Sequence, residues 1–109
     1  MGKKEIREKF RNSVFKRDDN KCMLCGRADA KLDAHHITNR EEMPNGGYVT
    51  SNGISLCDDG ENACHFKVEQ FYFSKCREND LFNKYHPARL YELIKSSLSK
   101  ALADAEKLK

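Results

Sequence analysis

Apolar residues recur at helical spacing near the start of the chain. Ile6, Phe10 and Val14 stand four residues apart, so on a helix they form one stripe along an otherwise basic and polar surface. The pattern predicts a helix over residues 3–17 whose apolar stripe packs against the core.

Two short segments in the middle of the chain are typical of strands. They are "LDAHHI" at 32–37 and "GISLC" at 53–57. Between them lies "TNREEMPNGGYVTS", which is rich in Gly, Pro and Asn and is predicted to be a loop. A turn-rich stretch, "DDNKCMLCGRAD", precedes the first strand.

Two later segments have helical periodicity. Residues 63–75 have an apolar face that combines Ala63, Phe66, Gln70 and Phe73 with Val68, Phe71 and Tyr72. A last helix is predicted from Pro87 to the end of the chain, with one face formed by Leu90, Ile94, Leu98, Ala101, Ala105 and Leu108. Either the N-terminal helix or the same helix of a second copy must cover that face.

Length and composition favour one small α+β domain over residues 1–109. The chain has 109 residues, of which 39% are hydrophobic and 34% are charged. Such a chain buries only a modest core, and folds of this size often gain stability from a bound metal.

The charge distribution favours a nucleic-acid partner. The formal net charge is +3, yet residues 1–30 alone hold nine Lys or Arg against five Asp or Glu. The N-terminus lacks the apolar region of a secretory signal, and Ile6 stands where a myristoylation motif requires Ser or Thr. No apolar run is long enough to span a membrane. We therefore expect a cytoplasmic protein, and in a reducing compartment clustered cysteines favour a metal site over disulfides.

Four of the five cysteines form two pairs that suit a structural zinc ion. Cys22 and Cys25 have the C-x2-C spacing of a zinc knuckle, and Cys57 and Cys64 would complete a tetrahedral site. Six residues separate the second pair, which is more than the usual two to four. Cys76 is left over and is predicted to be a free thiol.

Three of the four histidines lie on the first predicted strand or beside a cysteine of the zinc site. His35 and His36 are neighbours on a predicted strand, so their side chains point to opposite faces. His65 follows Cys64, and the zinc would join its helix to the end of the second strand. One histidine of the pair can therefore face His65, while the other points toward a substrate.

The quoted segments resemble the HNH endonuclease family. "KCMLCG" (21–26), "LDAHHI" (32–37), "SNGISLC" (51–57) and "CHFKVE" (64–69) follow the family pattern in its form with a four-cysteine zinc frame. The resemblance covers residues 18–75, with residues 76–109 as a C-terminal helical extension. It implies a ββα-metal core, also described as a His-Me finger and treble-clef-like, and the "PNGGY" loop is similar to that of phage members.

The resemblance also implies roles for individual residues. His36 would be the general base that activates water, and His35 and His65 would hold a catalytic Mg2+ or Mn2+ ion. Asn52 would brace the loop between the strands. Histidine suits the base role because its unperturbed pKa lies near neutrality.

Three further residues have alternative interpretations. Glu69 lies four residues after His65 on the same helical face and is either a third ligand of the catalytic ion or a solvent-exposed residue. Asn62 is another candidate ligand of lower weight. His86 has no such surroundings and is expected to cap the last helix or to lie on the surface.

The implied activity is hydrolysis of DNA phosphodiester bonds by a metal-dependent endonuclease. Basic residues predicted to contact DNA phosphates are Lys16, Arg17, Lys21 and Arg27 near the zinc knuckle, and Arg40 after the first strand. The alternatives are a non-catalytic zinc-finger-like DNA-binding module and an adaptor for other proteins. A homodimer through the C-terminal helix and a phage packaging partner are further interactions that the sequence leaves open.

Overall fold

The computed structural model describes residues 2–74 and 78–108 of the chain. Within those ranges it contains four α-helices and one two-stranded antiparallel sheet, in the order α1 (Lys3–Arg17), β1 (Leu32–His36), β2 (Gly53–Cys57), α2 (Cys64–Tyr72), α3 (Pro87–Leu93) and α4 (Leu98–Glu106). This architecture confirms the predicted α+β class.

The sheet carries a helix on each face. In the antiparallel register His35 lies opposite Ile54 and His36 lies opposite Gly53. Phe10 of α1 stacks on the His36 ring, whereas His65 of α2 contacts the His35 ring on the other face. The expected division of the two neighbouring histidines between opposite faces is therefore present.

An ion pair between Arg17 and the buried Asp18 fastens the end of α1 to β2. The Arg17 guanidinium donates to the Asp18 carboxylate and to the carbonyl oxygens of Thr50 and Gly53, both at 2.6 Å. Asp18 is 5% exposed and accepts the Ser55 backbone N–H at 2.8 Å. These contacts fix the position of α1 along the sheet.

The two C-terminal helices pack on the long loop between the strands. Ala101 and Ala105 of α4 are fully buried. The Asn45 side chain donates to the Ala105 carbonyl at 2.8 Å, and the Ser51 hydroxyl donates to Asp104 at 2.6 Å. This loop, not the N-terminal helix, therefore covers much of the apolar face of the C-terminal segment.

The prediction of one continuous C-terminal helix is wrong. The helix ends at Leu93 and a new one begins at Leu98, because Lys95 adopts the left-handed conformation (φ 55°) and the Ser97 hydroxyl accepts the Lys100 N–H. As a result Leu98, expected in the core, is 47% exposed. The Nδ1 atom of His86 accepts the Ala88 N–H and so caps α3. Of the two interpretations of His86, the helix cap is therefore confirmed.

The helix predicted over 63–75 is shorter, and its buried face is narrower. It begins at Cys64 and ends at Tyr72; Val68 is buried with Phe71, whereas Phe73 is 71% exposed. Phe66 is also exposed, so it does not belong to the core. The prediction for Cys76 lies outside the described residues. Over those residues, none of the helices has the length and apolar character needed to cross a membrane.

Candidate functional site

The four paired cysteines lie together at one end of the sheet. Cys22 and Cys25 come from the turn after α1, Cys57 ends β2, and Cys64 begins α2. Their sulfur atoms all lie within 4.8 Å of one another. Gly26, with φ 80°, allows its backbone N–H to donate to the Cys22 carbonyl at 2.8 Å, which closes the turn.

The cysteine cluster has dimensions that suit zinc. The Sγ atoms of Cys25 and Cys57 are 3.8 Å apart. A tetrahedral site with zinc–sulfur bonds of about 2.3 Å separates its sulfur atoms by about 3.8 Å. The Cys64 N–H also donates to Cys57 Sγ at 3.2 Å. The four residues could therefore hold a structural metal ion.

Ionisation of these thiols depends on their surroundings. Burial opposes ionisation of Cys22, but hydrogen bonds from the backbone of Cys25, Cys57 and Leu24 lower its pKa to about 7. Burial raises the pKa values of Cys57 and Cys64. Because thiolates are the metal-binding form, a bound cation would offset the cost of ionising the second pair.

A second group of potential metal ligands lies on the α2 side of β1. It consists of Asp33, His35 and His65, whose ligand atoms all lie within 4.8 Å of one another. His35 is 9% exposed, and its buried Nε2 atom has no hydrogen-bond partner among the residues that the structure describes. Burial, aided by the charges of His65 and His36, lowers the pKa of His35 to about 3, so its ring is neutral at pH 7.

Carboxylates surround the His65 ring. Its Nε2 lies 2.9 Å from Glu69 Oε1 and 3.3 Å from Asp33 Oδ2, and its Nδ1 lies 3.3 Å from Asp58 Oδ1. Ligands at right angles around Mg2+, with bonds of about 2.1 Å, lie about 3 Å apart. The Asp33–His65 distance is near that value and Asp33 belongs to the group with His35 and His65, whereas Glu69 contacts His65 but lies outside that group.

His36 occupies the opposite face of β1. Its ring stacks on Phe10 at 4.5 Å between centroids and meets the edge of Tyr48 at 4.7 Å. Burial, and secondarily the charge of Arg40, lowers its pKa to about 4. The imidazole is therefore neutral at pH 7 and able to accept a proton, but it is a weaker base than the near-neutral pKa expected from the sequence implied.

Both histidines line one cleft of about 450 Å³. Three cationic side chains also line it, Arg7 and Arg11 from α1 and Arg40 from the loop. Arg40 donates to the Tyr48 hydroxyl at 3.0 Å. Although burial of Tyr48 opposes ionisation, hydrogen bonds from Arg40 and Arg7 hold its pKa below the usual range.

Asn52 is fully buried and ties the two ends of the loop together. Its Oδ1 accepts the Thr38 N–H at 3.0 Å, and its Nδ2 donates to the carbonyl oxygens of Thr38 and Gly47. The Tyr91 hydroxyl also donates to Oδ1 at 2.7 Å. These are the contacts that a loop-bracing role requires.

The other basic residues singled out in the sequence lie elsewhere. Lys16, Lys21 and Arg27 are exposed near the cysteine cluster, and Arg27 pairs with Asp59 at 2.7 Å. None of these three lines the cleft. The Arg17 guanidinium is already engaged in the contacts that fasten α1. Asn62 is exposed.

Sequence reasoning missed Asp33, Arg7 and Arg11. Asp33 lies two residues before His35, so strand alternation alone puts the two side chains on one face. Arg7 lies three residues before Phe10 and Arg11 lies one residue after it, so the two arginines flank the apolar stripe of α1.

Comparison of the chain with models of protein families, with curated proteins and with solved structures finds no match.

Proposed function

We propose that the chain is a metal-dependent DNA endonuclease of the HNH type, whose ββα-metal site is formed by β1, β2 and α2. One observation carries the proposal: the adjacent histidines lie on opposite faces of β1, His35 within a group of potential metal ligands and His36 against Phe10, and both line a cleft that also contains three arginines. Phosphodiester hydrolysis needs a cation and a base on the two sides of the attacked phosphate.

The catalytic ion would be held by His35, His65 and Asp33, with Glu69 as a further ligand. Among the described residues, the buried Nε2 atoms of His35 and His36 have no hydrogen-bond partner, so each is available, the first to bind an ion and the second to accept a proton. Carboxylate oxygen and imidazole suit Mg2+ or Mn2+. When bound, such an ion would neutralise charge on the phosphate and on the leaving oxygen.

His36 would act as the general base. Its neutral ring accepts a proton from water as the water oxygen bonds to phosphorus, and the P–O bond to the leaving sugar oxygen breaks. Stacking on Phe10 and contact with Tyr48 hold the ring in one orientation, which favours efficient proton transfer. Asn52 keeps the loop that carries Tyr48 in place.

The cleft arginines would orient the DNA backbone. Arg7, Arg11 and Arg40 line the cleft together with both histidines. Guanidinium groups bind phosphate in a fixed bidentate geometry, so these residues suit a contact beside the scissile bond.

The decisive experiment is conversion of supercoiled plasmid to nicked or linear DNA, with and without added Mg2+ or Mn2+. We expect cleavage by the wild-type protein only with the ion, and a loss of at least about 100-fold in His36→Ala, in line with the usual contribution of a general base. His86→Asn is the matched control, because Asn retains the cap of α3 outside the cleft.

Each variant must keep its zinc content and thermal melting curve for the comparison to hold. Equal cleavage by wild type and His36→Ala would exclude His36 as the base. DNA binding by wild type without cleavage under either metal would favour a zinc-finger-like binding module instead.

A further inference from the structure

A second groove continues from the cleft toward the C-terminal helices. It runs between α1, the loop and α4, and has a volume of about 1130 Å³. Arg7, Phe10, Arg40 and Tyr48 line both the groove and the cleft, so the two are continuous. A polymer whose backbone passes the histidines can therefore extend into the groove.

Basic side chains dominate the groove. Eight cationic residues line it, namely Lys3, Arg7, Lys9, Arg17, Arg40, Lys95, Lys100 and Lys107. Among the described residues that line the groove, Asp104 alone is acidic, and its carboxylate accepts the Ser51 hydroxyl.

This concentration of charge does not reflect the chain as a whole. The eight cations and one acid of the groove give +7, whereas the chain totals +3, so the residues outside the groove carry a formal net charge of −4. Positive charge is therefore collected on this one surface, which is complementary to a polyanion.

We infer that the groove binds the DNA segment adjoining the scissile phosphate, and that the C-terminal helices supply part of this contact through Lys100 and Lys107. The inference rests on the proposed nuclease function. Continuity with the cleft favours nucleic acid over an acidic peptide, because the same arginines would contact successive phosphates. Apolar residues on the groove floor, such as Ile6 and Ile94, suit the sugar faces of the strand.

The test compares two triple variants with the same change in charge. One replaces the groove lysines Lys9, Lys100 and Lys107 with Gln, and the other replaces with Gln the exposed lysines Lys4, Lys31 and Lys84, which lie outside both the groove and the cleft. Binding to a labelled 30-base-pair duplex is followed by fluorescence anisotropy at several salt concentrations, without added divalent ion. Lys→Gln retains helix propensity, and melting curves verify folding.

We expect the groove variant to bind about tenfold more weakly or worse at 0.1 M salt, with the slope of log K against log salt reduced by about two to three. The control variant should stay within about twofold of wild type. Equal weakening of both variants, or greater weakening of the control, would overturn the inference. So would wild-type protein that binds polyglutamate but not the duplex.

Plasmid cleavage by the wild type separates this inference from the nuclease proposal. Binding through the groove without cleavage under Mg2+ or Mn2+ would refute the nuclease and leave the groove as a DNA site. Cleavage by a protein whose groove variant binds normally would refute the groove and leave the nuclease.

Discussion

Asp33 concentrates negative charge beside His65. Burial raises the pKa of the Asp33 carboxyl, and the nearby Asp58 and Glu69 raise it further against the opposing effect of His65. Grouping three carboxylates around one imidazole costs free energy unless a cation is present. A divalent ion would remove that cost, so we expect Asp33 to contribute to ion affinity.

Replacing Asp33 with Asn should weaken Mn2+ binding to the zinc-loaded protein by at least about tenfold. Mutation of a group that only supports a metal ligand already lowers metal affinity about 10- to 100-fold. Mutation of a direct ligand should lower the affinity by at least as much. Isothermal titration calorimetry measures the change. Asp29→Asn is the control, because the Asp29 side chain is 84% exposed near the cysteine cluster. Unchanged affinity in Asp33→Asn would remove Asp33 from the ion site.

Residue types could be predicted at this site more readily than their contacts. Strand alternation separates His35 from His36 whatever the rest of the fold does. The proximity of Asp33 to His65, by contrast, depends on how α2 docks on the sheet. Arg17 illustrates the same limit. Its charge predicts a phosphate contact, whereas its hydrogen bonds to the carbonyl oxygens of Thr50 and Gly53 depend on the fold.

At the scale of elements, Gly53 determines how closely α1 approaches the sheet. A Cβ atom at Gly53 would lie 2.4 Å from Val14 Cγ2 and 2.7 Å from Phe10 Cζ. Its φ is −119°, so the requirement for glycine is steric rather than conformational. Because Phe10 stacks on His36, the packing of α1 and the orientation of His36 depend on the same contact.

Gly53→Ala should therefore destabilise the fold by about 1–3 kcal/mol, as overpacked cores do. Urea unfolding measures the change. The double variant with Val14→Ala tests the cause, since removing Cγ2 relieves the closest of the clashes and leaves only those with Phe10. We expect the double variant to lose less stability than the two single changes combined, by about 0.5 kcal/mol or more. Strictly additive losses would contradict a steric clash.

The helices and strands of the first half follow closely from periodicity, but the C-terminal break does not. The predicted bounds of α1 and β2 agree with the structure because each apolar pattern ends at a turn signal. The segment after Leu93 contains neither Gly nor Pro, and its break requires Lys95 in the left-handed conformation. Packing of α4 on the loop selects that conformation, and packing is not visible in a single helical pattern.

For the whole molecule, the cysteine cluster joins three segments that are distant along the chain. It links the turn after α1, the end of β2 and the start of α2, and the buried Cys22 and Cys57 belong to the hydrophobic core. A metal bound there would stabilise the fold in proportion to its affinity, because the unfolded chain holds no preformed site.

A strong chelator should release about one zinc ion per chain and abolish cooperative unfolding, as it does in small domains that fold around zinc. Zinc content is measured by atomic absorption, and unfolding is followed by circular dichroism. Adding zinc back under reducing conditions should restore the transition. Zinc-free protein with an unchanged melting curve would show that the cysteines do not hold a structural ion.

Tyr91 connects the C-terminal helices to the loop of the site. It is 4% exposed, and its hydroxyl donates to Asn52 Oδ1 and contacts the Thr38 hydroxyl at 2.7 Å. Burial raises its pKa to about 12, against the effect of the Thr38 hydrogen bond. The folded state therefore keeps the neutral phenol at pH values where the unfolded chain has lost the proton.

The sign of the pH dependence follows from this difference. Tyr91 stabilises the fold fully below pH 10, and its contribution declines as the pH rises from about 10 to 12, because the unfolded state ionises first. Wild type should exceed Tyr91→Phe in stability by about 1–2 kcal/mol at pH 8. By pH 11 that advantage should shrink by about 1 kcal/mol. Urea unfolding of both proteins at pH 8 and pH 11 measures the two differences, and a constant difference would mean that the Tyr91 hydroxyl is not held neutral in this contact.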